Sequence, residues 1–110
     1  MKNQFNRLAK IVEIKADKAR SELASATKSR NEIRRQIDEL QAEIKARMAT
    51  AEDPLTARLV AKYAEVVRER QARLVADLAQ ANARRKAALH QAQATEGRRI
   101  AIDTLKRQAS

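Results

Sequence analysis

Few residues in this chain of 110 could carry out chemistry, since it has one histidine and no cysteine. His90 stands beside Leu89 in an alanine-rich stretch and is interpreted as a solvated surface residue. The adjacent acids Asp38 and Glu39 have no histidine at metal-ligand spacing, and no Gly-rich loop is available to cradle a phosphate. Catalysis would require a nucleophile, a base and an orienting acid in one pocket. The sequence therefore predicts no catalytic residue, no cofactor and no metal site.

The most concentrated charged feature is the basic run Arg84, Arg85 and Lys86. Successive residues of a helix point about 100 degrees apart, so this run should fan out instead of forming one cluster. Three interpretations stay open: a solvated face, docking to an acidic protein surface, and binding to nucleic acid. Nucleic acid is the least favoured partner, because no aromatic residue lies nearby for base stacking and no DNA-binding motif is recognisable.

The composition favours long helices over a globular core. Charged residues make up 35% of the chain and aromatic residues 2%, so few large side chains are available to fill a centre. Such a composition is typical of coiled coils. No apolar run approaches the roughly 20 residues that cross a bilayer, and charges interrupt the N-terminal stretch too often for a signal peptide. We therefore expect a cytoplasmic protein.

The net charge of +10 is unevenly distributed along the sequence. The residues up to Asp53 include 12 basic and 9 acidic side chains, whereas those from Pro54 onward include 12 basic and 5 acidic ones. The second half of the chain should therefore attract an acidic partner.

The helices that position these residues are separated by the only proline of the chain. Pro54 lacks an amide hydrogen and crowds the residue before it, so a preceding helix should stop near Glu52. Proline suits the first position of a new helix, and Asp53 suits the N-cap. The sequence predicts helix 1 over about 4–51, a turn at about 50–54 and helix 2 over about 54–107. The expected fold is all-α, with two long helices forming an antiparallel coiled-coil hairpin in one domain.

Apolar residues of the first helix recur at the 3–4 spacing of a heptad seam. The seam opens with Phe5, Leu8 and Val12, weakens, and resumes one step out of frame at Leu23. The four-residue offset between Ala19 and Leu23 predicts a stutter, where a left-handed supercoil locally unwinds.

The second helix has a matching seam that opens with Val60, Tyr63 and Val67. Gly97 should weaken this helix near its end without stopping it. A chain that turns near residue 52 brings apolar residues of the two seams opposite one another. The expected pairs are Ile44 with Val60, Ile37 with Val67, and Ala26 with Leu78.

Both ends of the predicted hairpin carry more apolar residues than one seam uses, which indicates places where partners dock. At the turn end these residues include Leu55, Leu59 and Tyr63. At the open end they include Phe5, Leu8, Ile11, Val12, Ile100, Ile102 and Leu105.

Several segments are typical of one protein family. They are the N-terminal RLAKIVEIK at 7–15, the joint Asp53-Pro54, the string RERQARL at 68–74 and the closing ATEGRR at 94–99. In these segments and in its layout the chain resembles the FliJ/YscO-type stalk proteins of the bacterial flagellar and injectisome type III export apparatus.

That resemblance implies a coiled coil similar to the central stalk of the rotary ATP synthase. Its open end would enter the ring of the export ATPase hexamer and promote ring assembly, while Leu55, Leu59 and Tyr63 would reach the membrane export-gate protein. Whether export chaperones also bind stays open. The implied ATPase-docking residues are Phe5, Leu8, Ile11, Val12, Arg98, Arg99, Ile100, Ile102 and Leu105.

Two alternatives remain beside this hypothesis. The surplus apolar surface would also serve a structural coiled-coil protein that self-associates, for example as a four-helix bundle. The basic second helix would also serve a nucleoid-type protein that binds nucleic acid. Binding to nucleic acid should vanish with a modest rise in ionic strength, whereas apolar docking should persist.

Overall fold

A computed structural model describes residues 2–109 of the chain. These residues form two α-helices, α1 (Lys2–Thr50) and α2 (Pro54–Ala109), and contain no strand. The fold is all-α, an antiparallel coiled-coil hairpin. Compared with the sequence prediction, α1 begins two residues earlier and ends one residue earlier, and α2 begins at Pro54 but ends two residues later.

Residues 51–53 form the turn, and a cap at Asp53 starts the second helix. The Asp53 carboxylate accepts a 2.7 Å hydrogen bond from the Thr56 backbone N–H and a 2.8 Å bond from the Thr56 hydroxyl. The bond from the backbone N–H is the main reason that the pKa of Asp53 lies below its ordinary value. The predicted roles of Asp53 as N-cap and Pro54 as first helical residue are confirmed.

The inner face of α1 is one uninterrupted heptad seam, so the predicted stutter is wrong. Leu8 is 45% exposed, and Ala9 is half-buried in its place. Ala16 is buried, whereas Lys15 is exposed. The sequence pattern favoured the large apolar residue at each step, but small alanines occupy the seam and restore the 3–4 spacing. The seam residues are Phe5, Ala9, Val12, Ala16, Ala19, Leu23, Ala26, Arg30, Ile33, Ile37, Leu40 and Ile44.

On the inner face of α2, too, a small alanine occupies the seam in place of a larger neighbour. Ala64 is buried at 3% exposure, and Tyr63 lies beside it on the edge of the seam. Two polar residues, Thr95 and Arg99, occupy buried or half-buried seam positions near the C-terminal end. The helix continues through Gly97, as the sequence predicted.

The helices pair about one heptad away from the expected register. Ile44 lines a groove together with Ala64 and Val67, whereas Val60 was its expected partner. Thr27 accepts a 3.1 Å hydrogen bond from Nε of Arg85, although Leu78 was expected opposite its neighbour Ala26. A shift by seven residues leaves every seam position in the seam, so the apolar pattern alone matches both registers.

The chain divides into two compact units. The turn unit comprises 29–82, and its buried seam residues are Ile37, Ala64 and Val67. The terminal unit comprises 1–28 with 83–110, and its buried residues are Ala16, Ala19, Ala26 and Thr95. The buried residues of the turn unit therefore include large apolar side chains, whereas the buried apolar residues of the terminal unit are all alanines.

Candidate docking surfaces

Almost all of the net charge belongs to the terminal unit. Its residues include 14 basic and 5 acidic side chains, a net charge of +9, whereas the turn unit includes 10 basic and 9 acidic ones, a net charge of +1. Neither half of the linear sequence has so high a net charge. The terminal unit reaches +9 because the hairpin brings the basic N-terminal stretch beside the basic C-terminal stretch. The charge of the terminal unit makes it the natural place for an acidic partner to bind.

One side of the terminal unit is covered by an ion-pair network that joins α1 to α2; we call it the ion-pair face. Glu96 accepts hydrogen bonds of 2.6 Å from Arg20 of the facing helix and 2.6 Å from Arg99 of its own helix. Arg20 also bonds Asp17 at 3.2 Å, and Arg99 also bonds Asp103 at 3.1 Å. Three of the five acidic residues of the unit are committed to this network.

Electrostatics on the ion-pair face favour the ionised state of its central carboxylate. The hydrogen bonds from Arg99 and then from Arg20 lower the pKa of Glu96 to about 2. The same carboxylate raises the pKa of Arg99. Both guanidinium groups on this face are therefore neutralised by neighbours within the chain.

The other side of the terminal unit carries cations without such neutralisation. Lys15, Lys18 and Arg98 line a shallow groove with Glu22 and Gln91. No ion pair within 4.0 Å joins any of these three cations to a carboxylate among residues 2–109. The groove therefore presents three free positive charges and one acid.

Exposed leucines flank these cations along both helices. Leu8 lies one heptad before Lys15 in α1, and Leu105 lies one heptad after Arg98 in α2, so each leucine shares a face with its cation. Leu8 is 45% and Leu105 is 48% exposed. We call the surface formed by Leu8, Lys15, Lys18, Arg98 and Leu105 the cationic face.

The structure divides the residues that the resemblance assigned to ATPase docking. Phe5, Val12 and Ile102 are half-buried in the seam, and Arg99 is committed to the ion-pair face. The exposed residues of the set, which could contact a partner, are Leu8, Ile11, Arg98, Ile100 and Leu105. Lys15 and Lys18 were not predicted from the sequence, because only the facing helix brings them beside Arg98.

The basic run does not form a single patch. Arg85 is half-buried and donates its Nε hydrogen to Thr27 on the facing helix, while Arg84 and Lys86 are exposed. The expected fanning of the run is confirmed. Arg85 consequently belongs to the helix–helix interface, and His90 lies nearby as an exposed residue.

In the turn unit, the set assigned to the export gate is also divided. The Tyr63 hydroxyl donates a 2.9 Å hydrogen bond to Glu43, and the Arg47 guanidinium lies 4.5 Å from the Tyr63 ring centroid. The bond to Glu43 raises the pKa of Tyr63. Tyr63 thus ties α2 to α1, whereas Leu55 and Leu59 are 67% and 61% exposed.

Within residues 2–109, no three His, Cys, Asp or Glu side chains are grouped so that they could hold a metal ion. Among residues 2–109, neither helix contains a stretch with the length and hydropathy that a membrane span requires. In comparisons with known proteins, no family model, curated protein or solved structure matches the chain. The surfaces of the hairpin are therefore the basis for any statement about its function.

Proposed function

We propose that the protein is a non-enzymatic coiled-coil stalk of a type III export ATPase complex, with the terminal unit docked to the ATPase. The observation that carries this proposal is the cationic face, where Lys15, Lys18 and Arg98 lie unpaired between two exposed leucines. A surface with this chemistry suits a partner that offers both carboxylates and apolar side chains.

The asymmetry between the two sides of the terminal unit supports a specific orientation. Glu96 neutralises Arg20 and Arg99 on the ion-pair face, so this side offers an incoming acid little net attraction. The cationic face keeps its charge and its exposed leucines. A docked ATPase would therefore contact one side of the hairpin, and long-range attraction would speed its association.

Mechanical coupling is the role that such a hairpin could perform. Each helix is continuous within the described chain, with 49 residues in α1 and 56 in α2. In the proposed complex, the terminal unit promotes assembly of the ATPase ring, and the turn unit reaches the export gate at the inner membrane. The protein contributes position and stiffness, and the ATPase supplies the chemistry.

The decisive experiment measures binding of the purified protein to the export ATPase of the same cell, together with ATPase activity. We expect binding and stimulated ATP hydrolysis at 150 mM salt. We expect Lys15→Glu combined with Arg98→Glu to abolish both while leaving the helical circular dichroism unchanged. Absence of binding by the unaltered protein would refute the proposed function.

A matched control separates the cationic face from net charge. Lys28→Glu combined with Lys86→Glu changes the charge of the terminal unit by the same amount but alters exposed residues outside that face. This control should retain most of the binding. Equal loss of binding in both double variants would mean that net charge, and not a defined surface, attracts the partner, as expected for a nucleoid-type protein. In that case the affinity for DNA should fall steeply as the salt concentration rises.

A further inference from the structure

An apolar stripe lies on the outer side of α2 within the turn unit. Leu55, Leu59 and Val66 recur with Lys62 at spacings of four, three and four residues, which places all four on one face of the helix. The three apolar side chains are 67%, 61% and 64% exposed. They are the most exposed large apolar residues of this unit.

The facing helix cannot cover this stripe. Ala64 and Val67 are buried at 3% and 4% exposure and point towards α1. Leu59 and Val66 lie about 150 degrees around the helix from Ala64 and about 100 degrees from Val67, so the stripe faces away from α1. Apolar residues arranged at heptad spacing on a free helix face are those that pair with another helix.

We infer that a second copy of this chain covers the stripe, with the two α2 helices antiparallel about a two-fold axis between Leu59 and Lys62. In this arrangement Leu55 of one copy faces Val66 of the other. Leu59 faces the aliphatic part of Lys62, whose ammonium group reaches solvent. Because the two-fold axis repeats each contact, the same patch serves both partners.

Charges at the edge of the stripe favour this partner. Arg58 and Glu65 are exposed on the same edge, seven residues apart. In an antiparallel pair with this axis, Arg58 of one copy lies within reach of Glu65 of the other along the shared edge, and symmetry makes two such pairs.

The distribution of net charge also restricts self-association to the turn unit. Two terminal units, each with a net charge of +9, repel one another, whereas two turn units, each at +1, do not. Three apolar side chains per copy bury less than the roughly 1,000 Å² typical of a stable interface. The dimer should therefore be weak and reversible, with a dissociation constant on the order of 100 μM.

This inference is independent of the export role, although a gate protein bound to Leu55 and Leu59 would compete with the second copy. The first test is sedimentation equilibrium of the full chain from 10 μM to 1 mM in 300 mM salt. We expect the mass to rise from monomer to dimer over this range. Leu59→Ser should stay monomeric with unchanged helicity, and an unaltered chain that is monomeric at 1 mM would overturn the inference.

A charge reversal tests the edge pairs directly. Arg58→Glu alone and Glu65→Arg alone should each weaken dimerisation at least threefold, because each variant places like charges opposite one another. The double variant should restore the original dissociation constant. If the double variant is as weak as the single ones, the proposed pairing of these residues is wrong.

Cross-linking tests the antiparallel orientation. The chain has no cysteine, so each substitution introduces a single thiol. With a short bismaleimide, Lys62→Cys should give covalent dimers because residue 62 lies near the two-fold axis. Arg73→Cys should give none, since the two thiols are then separated by more than about 30 Å along the helices. Efficient dimers through position 73 would indicate a parallel pair and refute the geometry.

Discussion

The turn unit and the terminal unit both pack one helix segment against another, but they bury different side chains. The turn unit buries Ile37 and Val67 and is almost neutral. The terminal unit buries Ala16, Ala19 and Ala26 and carries almost all of the net charge. Both are pairs of helix segments with a continuous heptad seam, so the difference lies in seam size and surface charge.

That difference indicates how stability and binding are distributed. Burial of a large apolar side chain stabilises by about 1.5–3 kcal/mol, and burial of alanine by much less. The turn unit therefore holds most of the apolar stabilisation. The terminal unit relies on close packing of small residues and on the ion-pair face, and its charge leaves it suited to a partner.

The largest expected effect is an all-or-none cross-link that tests the register of the turn unit. Ile44→Cys with Val67→Cys should form an intramolecular cross-link with a short bismaleimide, because both residues line one groove. Ile44→Cys with Val60→Cys should not, since these positions differ by a heptad in the observed register. Mass spectrometry of the digested product measures both. The reverse result would restore the register expected from the sequence.

Truncation of a large seam residue should destabilise the turn unit most. Ile37 is 9% exposed, and Ile37→Ala should lower the free energy of unfolding by about 3 kcal/mol. Ile14→Ala makes the same change at a residue that is 66% exposed and should cost less than about 0.5 kcal/mol. Urea unfolding followed by circular dichroism measures both. Equal effects would mean that seam burial does not stabilise the turn unit.

Enlargement of a buried seam residue should lower stability more in the terminal unit than in the turn unit. Ala19 is 4% exposed, and Ala19→Leu should lower the free energy of unfolding by about 2 kcal/mol, because a larger side chain at this buried position must displace its neighbours. Ala94→Leu, at an exposed position of the same unit, is the matched control and should be nearly neutral. A stabilised Ala19→Leu protein would show that the alanine seam is loosely packed.

A gain of stability is expected at the single glycine. Gly97 is helical, and a Cβ atom added there would meet nothing within 4 Å. Gly97→Ala should therefore raise the free energy of unfolding by about 1 kcal/mol through helix propensity alone. Thermal unfolding of the two proteins measures this difference. A lower melting temperature for Gly97→Ala would contradict this expectation and mean that α2 requires glycine at this position.

The smallest effect is the pH dependence of the ion-pair face. The pKa of Glu96 is lowered from 4.5 to about 2 in the folded protein, so its contribution is present above pH 4.5 and is lost as pH falls towards 2. At pH 6, the unaltered protein should have a higher melting temperature than Glu96→Gln. The difference should shrink with salt and disappear near pH 2. A difference that is independent of pH would exclude the ion pairs as its source.

Much of the fold could be predicted from local rules. Asp53 and Pro54 have side chains that favour a cap and a first helical position in any context, so the turn followed from residue types alone. The stutter did not occur, because burial of Ala9 and Ala16 depends on how closely the facing helix approaches. Size and hydropathy favour Leu8, but the geometry of the helix pair selects alanine.

The candidate site was predictable only in part. Exposed apolar residues at both ends follow from an excess over one seam, and Leu8, Leu55, Leu59 and Leu105 are indeed exposed. The separation of Arg98 from Arg99 was not predictable from an adjacent pair in the sequence. Arg99 bonds Glu96 and Asp103, while Arg98 points to the cationic face.

The amino-acid sequence by itself determined the two helices and the turn between them, because these depend on interactions within a few residues along the chain. The selection of Ala9 and Ala16 for the seam depended on the facing helix. The tertiary structure decided which heptad of α1 meets which heptad of α2. A heptad pattern repeats every seven residues, so its apolar matches are the same after such a shift. Contacts that do not repeat, such as Arg85 with Thr27 and Arg20 with Glu96, distinguish one register from the next. That register also creates the two faces of the terminal unit.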